Sequence, residues 1–130
     1  MNVVLDTNVL VSAMLSPGRK AYSILQAVIF GDFQIIYDYR IMDEYKDVLH
    51  YKKFGFEEND IEAVLTPIRE YGLNIVAHPI KNIAFTDESD RKFFEVAKSA
   101  DAVLVTGNLK HYPEDFLVMS VSDFHVRFIG

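Results

Sequence analysis

Two short apolar runs in this chain stop abruptly on polar residues. One ends in Val3-Val4-Leu5 and passes straight into Asp6-Thr7-Asn8; the other ends in Val103-Leu104-Val105 and passes into Thr106-Gly107-Asn108. Runs this short, without polar alternation, read as strands buried on both faces. Strands of that kind belong to parallel sheets covered by helices on both sides. Such sheets carry their sites in the crevice beyond the carboxyl ends of the strands. The polar residues after each run therefore mark where a site should be sought.

The rest of the chain alternates in the same way. Helices are expected over residues 8–15, 21–30, 41–49, 57–71 and 87–100, and further strands over 33–37, 73–77 and 116–119. Pro67 is expected to kink or split the fourth helix. Ser122 is expected to cap a last turn at Asp123-Phe124. The fold class is thus α/β, with three layers and a central parallel sheet of about five strands. With 130 residues and no repeat or linker, one domain over residues 1–130 is expected. Cysteine is absent, which excludes a disulfide scaffold and a thiolate metal site. No apolar run is long enough for a membrane helix, and residues 1–6 lack the basic start of a signal peptide. A cytoplasmic protein without membrane contact is the expectation.

Nineteen Asp and Glu face thirteen Lys and Arg, a net charge of −6. That balance disfavours nucleic-acid binding through bulk charge, and it asks which carboxylates are out of place. Most, including Asp43, Asp47, Glu70, Glu88, Glu95, Glu114 and Asp115, fit exposed faces or loops. Glu57, Glu58, Asp60 and Glu62 crowd a helix start, where the macrodipole favours negative charge. Three fit less well. Asp6 ends a buried strand. Glu44 lies about 60° from Ile41 on its helix, at the edge of an apolar stripe. Asp90 precedes Phe93 and Ala97 on the apolar face of its own helix. A parallel sheet would bring these three segments to one rim. Packed carboxylates repel, so a stable cluster needs cations, and oxygen ligands suit Mg²⁺ or Mn²⁺.

With those residues in view, the chain resembles the PIN domain family of metal-dependent ribonucleases over nearly its whole length. Val3-Val4-Leu5-Asp6-Thr7-Asn8 is similar to the family's first motif. Ile41-Met42-Asp43-Glu44-Tyr45 is similar to the second, Asp90 to Ala97 to the third, and Val103 to Asn108 to the fourth. Many members have Asp where this chain has Asn108, which keeps an oxygen ligand but removes a charge; Asp87 is a possible substitute carboxylate.

The resemblance implies hydrolysis of phosphodiesters in single-stranded RNA. Asp6, Glu44 and Asp90 would hold one or two Mg²⁺ or Mn²⁺ ions. Asn108 would orient a water or touch the phosphate, and Thr7, Asn8 and Thr106 would fix the carboxylates by hydrogen bonds. Arg19, Lys20, Arg91 and Lys110 would bind substrate, with Tyr39, Tyr51 and Tyr112 available to stack on bases. His111 is a further possible substrate contact. Within the family the chain looks like the toxin components of toxin–antitoxin systems. That implies an antitoxin partner over the cleft and a homodimer or higher oligomer, with Phe124, Phe128 and Ile129 either serving such contacts or packing on the core. The competing reading is a catalytically weak PIN scaffold that binds RNA or a protein.

Overall fold

The computed structural model describes all residues 1–130. Its centre is a five-stranded, all-parallel sheet in the order β3-β2-β1-β4-β5. The strands are β1 (Asn2–Leu5), β2 (Gln34–Tyr37), β3 (Leu73–Asn74), β4 (Val103–Thr106) and β5 (Val118–Ser120). Val3, Val4, Leu5, Leu104 and Val105 are buried, as expected for central strands covered on both faces. Six helices flank the sheet: α1 (Thr7–Leu15), α2 (Lys20–Ile29), α3 (Tyr39–Leu49), α4 (Glu58–Tyr71), α5 (Arg91–Ala100) and the single turn α6 (Val121–Phe124). The architecture is the expected three-layer α/β/α arrangement.

The strand order explains the position of the site. From β1 the chain moves outward through β2 to β3, then returns to the other side of β1 as β4. The direction of winding therefore reverses between β1 and β4, which opens a crevice at their carboxyl ends. Asp6 follows β1 and Thr106 ends β4, so both stand at that point. The Asp6 N–H donates to Val105 O at 3.0 Å, continuing the β1–β4 register to the rim.

Several local expectations need correction. The helix α4 runs unbroken through Pro67. Burial of Ile61, Val64, Leu65 and Ile68 holds it together against the missing N–H. It stops at Gly72, where a β-carbon would lie 2.3 Å from Ile68 O and 2.9 Å from the Tyr37 ring. Only glycine allows that approach of α4 to β2.

The third strand is two residues long instead of five. Ile75 N–H still donates to Tyr37 O at 2.9 Å, and beyond it the chain leaves the sheet edge and is pinned to α5: His78 N–H donates to Ser99 Oγ and Ile80 N–H to Glu95 Oε2. Residues 88–90 form a 3₁₀ turn ahead of α5. The last strand starts at Val118 because Phe116 points into solvent, 85 % exposed. The last turn is capped by Ser120, whose Oγ accepts from Asp123 N–H, and not by Ser122. Phe124 is fully buried against Phe33 and Phe128, so it is a core residue and no docking contact.

Candidate functional site

Asp6 is buried at the crevice, and a lone carboxylate there would be costly. Its Oδ2 accepts two hydrogen bonds at 2.8 Å, from Thr106 Oγ1 and from Tyr112 OH. These bonds and the backbone of Asn8 favour the charge, but burial outweighs them and, helped by Glu44, raises the Asp6 pKa. Tyr112 itself is buried, not available for base stacking as expected from sequence. Burial and the charges of Asp6 and Asp90 push its phenol far above the ordinary value, so it remains a donor. Replacing Tyr112 by Phe should cost about 1.5 kcal/mol of stability, because the partner is charged. It should also raise the Asp6 pKa further, read by carboxylate NMR titration. An Asp6 titration unchanged in Tyr112→Phe would contradict this.

Glu44 reaches the same rim because α3 is tied to the end of β1. Tyr45 is fully buried and its OH donates to Leu5 O at 2.5 Å. One Glu44 oxygen accepts the Thr7 hydroxyl. The other lies 2.7 Å from Lys92 Nζ. Asn8 bridges the two polar turns: its Oδ1 accepts Gly107 N–H at 3.0 Å. Asn108 N–H donates to Thr106 Oγ1 at 3.0 Å, and its amide nitrogen lies 2.9 Å from His111 Nε2.

Asp90 differs from the other two acids. Its Oδ2 is buried without a hydrogen-bond donor. His111 Nδ1 stands 3.2 Å away, within ion-pair range but off the hydrogen-bonding direction. Burial, then the charges of Asp6, Asp87 and Glu44, raise the Asp90 pKa to about 6, with His111 opposing. Asp87 is a helix cap: its Oδ1 accepts from the Ser89 N–H and hydroxyl, which lowers its pKa.

A sheet rim of this topology with three mutually repelling carboxylates invites comparison with known proteins. The family model of the PIN domain matches residues 2–110. This chain belongs to the PIN domain family. PIN domains are generally nucleases, which places the chain among nuclease-like hydrolases at that coarse level. A relative from Methanocaldococcus jannaschii, "Uncharacterized protein MJ1680", is 28 % identical over 142 residues, spanning 98 % of this chain and 84 % of its own length. No solved structure matches the chain. The matched PIN segment stops short of Tyr112, so one of the two side-chain donors to Asp6 comes from outside it.

The structure departs from the expected metal cluster in one respect. No group of three or more His, Asp or Glu side chains is gathered so as to hold a metal ion. Glu44 is paired with Lys92, and Asp6 accepts two hydroxyls. The donor chemistry nonetheless fits a hard divalent cation. The acids supply oxygen ligands, Glu44 helps raise the Asp6 pKa, Asp6 and Glu44 help raise that of Asp90, and Asp90 Oδ2 has no donor.

Arg91 is also corrected. Its guanidinium is bound to Glu88 and to the carbonyls of Ile80 and Ile83, and it stacks 4.8 Å from the Phe85 ring centroid. It clamps the 80–88 segment and is not free for phosphate. Arg19, Lys20, Lys110, Tyr39 and Tyr51 are exposed.

Sequence reasoning missed a second buried polar group beside the site. Glu95, read as surface, and Asp38 are both buried and share Arg40, at 2.8 and 2.7 Å. Tyr112 was expected near the rim as a stacking ring and not as a donor to Asp6, and the pairing of Lys92 with Glu44 was not foreseen. A signal existed for Glu95: it sits between Phe94 and Val96 in a run of five buried residues of α5. Nothing local signals the Tyr112–Asp6 bond or the Lys92–Glu44 pair, since each joins partners distant in sequence.

Proposed function

We propose that this PIN domain is a metal-dependent endoribonuclease that hydrolyses phosphodiester bonds of single-stranded RNA, acting as the toxin component of a toxin–antitoxin system. The observation that carries the reading is Asp90 Oδ2, a buried carboxylate oxygen with no donor, whose pKa is raised by burial and by the charges of Asp6, Asp87 and Glu44. Asp6, Glu44 and Asp90 would hold Mg²⁺ or Mn²⁺, which when bound supplies an activated water and charge compensation on the phosphate. The chain's own residues do the positioning. Thr106 and Tyr112 fix Asp6, while Thr7 and the Tyr45–Leu5 bond fix Glu44. Asn108 uses one amide hydrogen toward His111 and keeps a second for a phosphate oxygen. Exposed Tyr39 and Tyr51 offer faces to unpaired bases, and Lys110, Arg19 and Lys20 offer charge. An antitoxin segment over the cleft, a homodimer and a cytoplasmic location complete the proposal.

Labelled single-stranded RNA should be cut in Mn²⁺, spared in EDTA and cut again when Mn²⁺ is restored. Cutting that persists in EDTA would overturn the reading. The scaffold alternative is favoured by two observations: the neutral Asn108, and the Lys92 ammonium lying on Glu44. It becomes the better account if no RNA or DNA tested is cut and Mn²⁺ does not bind.

A further inference from the structure

We propose that Lys92 is a built-in counter-ion of the carboxylate cleft, which competes with a divalent cation for Glu44. The inference rests on the metal-dependent reading above and adds a residue that opposes metal entry. Lys92 is on the first turn of α5, two residues after Asp90. Its Nζ lies 2.7 Å from Glu44 Oε1, and its side chain is only 12 % exposed. The same ammonium donates to Ser89 O and stands 5.0 Å from the Phe93 ring centroid. Three contacts therefore hold a flexible side chain in one place, against the entropy a lysine gains by leaving.

The surroundings explain why it stays. Asp6 has hydroxyl donors but no cation, and Asp90 faces only His111. Lys92 is the one Lys or Arg paired with any of the three acids. Without it, three carboxylates would repel with no permanent positive charge among them. The other Glu44 oxygen accepts the Thr7 hydroxyl, so both oxygens are engaged. A cation that takes Glu44 as a ligand therefore competes with the ammonium for the same carboxylate. Lys92 stabilises the carboxylate cleft and weakens cation binding by the same contact.

Calorimetric titration with Mn²⁺ and thermal unfolding in EDTA test this on the full chain. Lys92→Met keeps the length and removes the charge, Lys92→Gln provides a polar second variant, and Lys92→Arg keeps the charge. The Met and Gln variants should bind Mn²⁺ about tenfold more tightly than wild type and unfold at lower temperature in EDTA. The Arg variant should stay near wild type in both. A residue with only a structural role would lower the EDTA midpoint without tightening Mn²⁺ binding. Mn²⁺ affinity in the Met and Gln variants equal to or weaker than a measurable wild-type affinity therefore overturns the inference alone. Absence of Mn²⁺ binding to every variant and to wild type overturns the metal reading together with it.

Discussion

Asp90→Asn should lower RNA cleavage by about 100-fold and, in the same molecule, raise the unfolding midpoint of the metal-free protein at pH 8. The first effect follows from removing the carboxylate whose Oδ2 has no donor. The second follows from the electrostatics. The folded-state pKa of Asp90 is raised to about 6 from an ordinary 3.8 by burial and by Asp6, Asp87 and Glu44. A raised pKa means that the folded state holds a proton the unfolded chain has released. The contribution of this group is thus most favourable below pH 3.8 and is lost as pH rises through about 6. At pH 8 the full cost is present, about 1 kcal/mol after discounting for water at the mouth of the cleft. Asparagine removes it, which amounts to a few degrees of midpoint. The gain should shrink toward pH 5, where Asp90 is itself largely neutral. A variant less stable than wild type at pH 8 in EDTA would show that Asp90 is a structural residue. Cleavage that survives the substitution would remove Asp90 from the site.

Arg40→Met should cost about 3 kcal/mol at pH 8, measured by urea unfolding. Asp38 and Glu95 are 2 % and 4 % exposed, and Arg40 is the cation paired with both. Their remaining oxygens anchor the backbone: Asp38 Oδ1 accepts Ile41 N–H at the start of α3, and Glu95 Oε2 accepts Ile80 N–H. Methionine fills the volume of the stem but leaves two buried carboxylates without a cation. Arg40→Lys keeps one charge but cannot fork between two acids, and should fall between wild type and Met. A loss below about 0.5 kcal/mol would show that the triad is no more than a surface ion pair. Because Asp38 starts α3, which carries Glu44, this triad also holds the second acid at its place on the rim.

The site residues were legible in the sequence where chemistry and pattern conflict. Asp6 ends an apolar run, and Asp90 lies on an apolar helical face; each violates a local rule that ordinary surface residues obey. Glu95 violates the same rule and was passed over, because a single glutamate in a helix of mixed polarity has an easy surface reading. Pro67 and residues 75–77 were misread for a different reason. Packing of α4 overrides the local helix-breaking tendency of Pro67, and Glu95 and Ser99 draw the chain off the sheet edge before β3 can lengthen.

The sequence by itself determined the parallel α/β class, the five-strand count, the rim on which Asp6 and Asn108 stand and the PIN resemblance. All of these follow from the periodicity of apolar residues and from short motifs, which are local. Only the tertiary structure decided the charge pairing: Lys92 with Glu44, Arg40 between Asp38 and Glu95, and Tyr112 on Asp6. Tyr112 and Asp6 are 106 residues apart, and Arg40 and Glu95 are 55 apart. Which polar groups satisfy one another across such distances depends on where the helices pack against the sheet, and no local pattern encodes it.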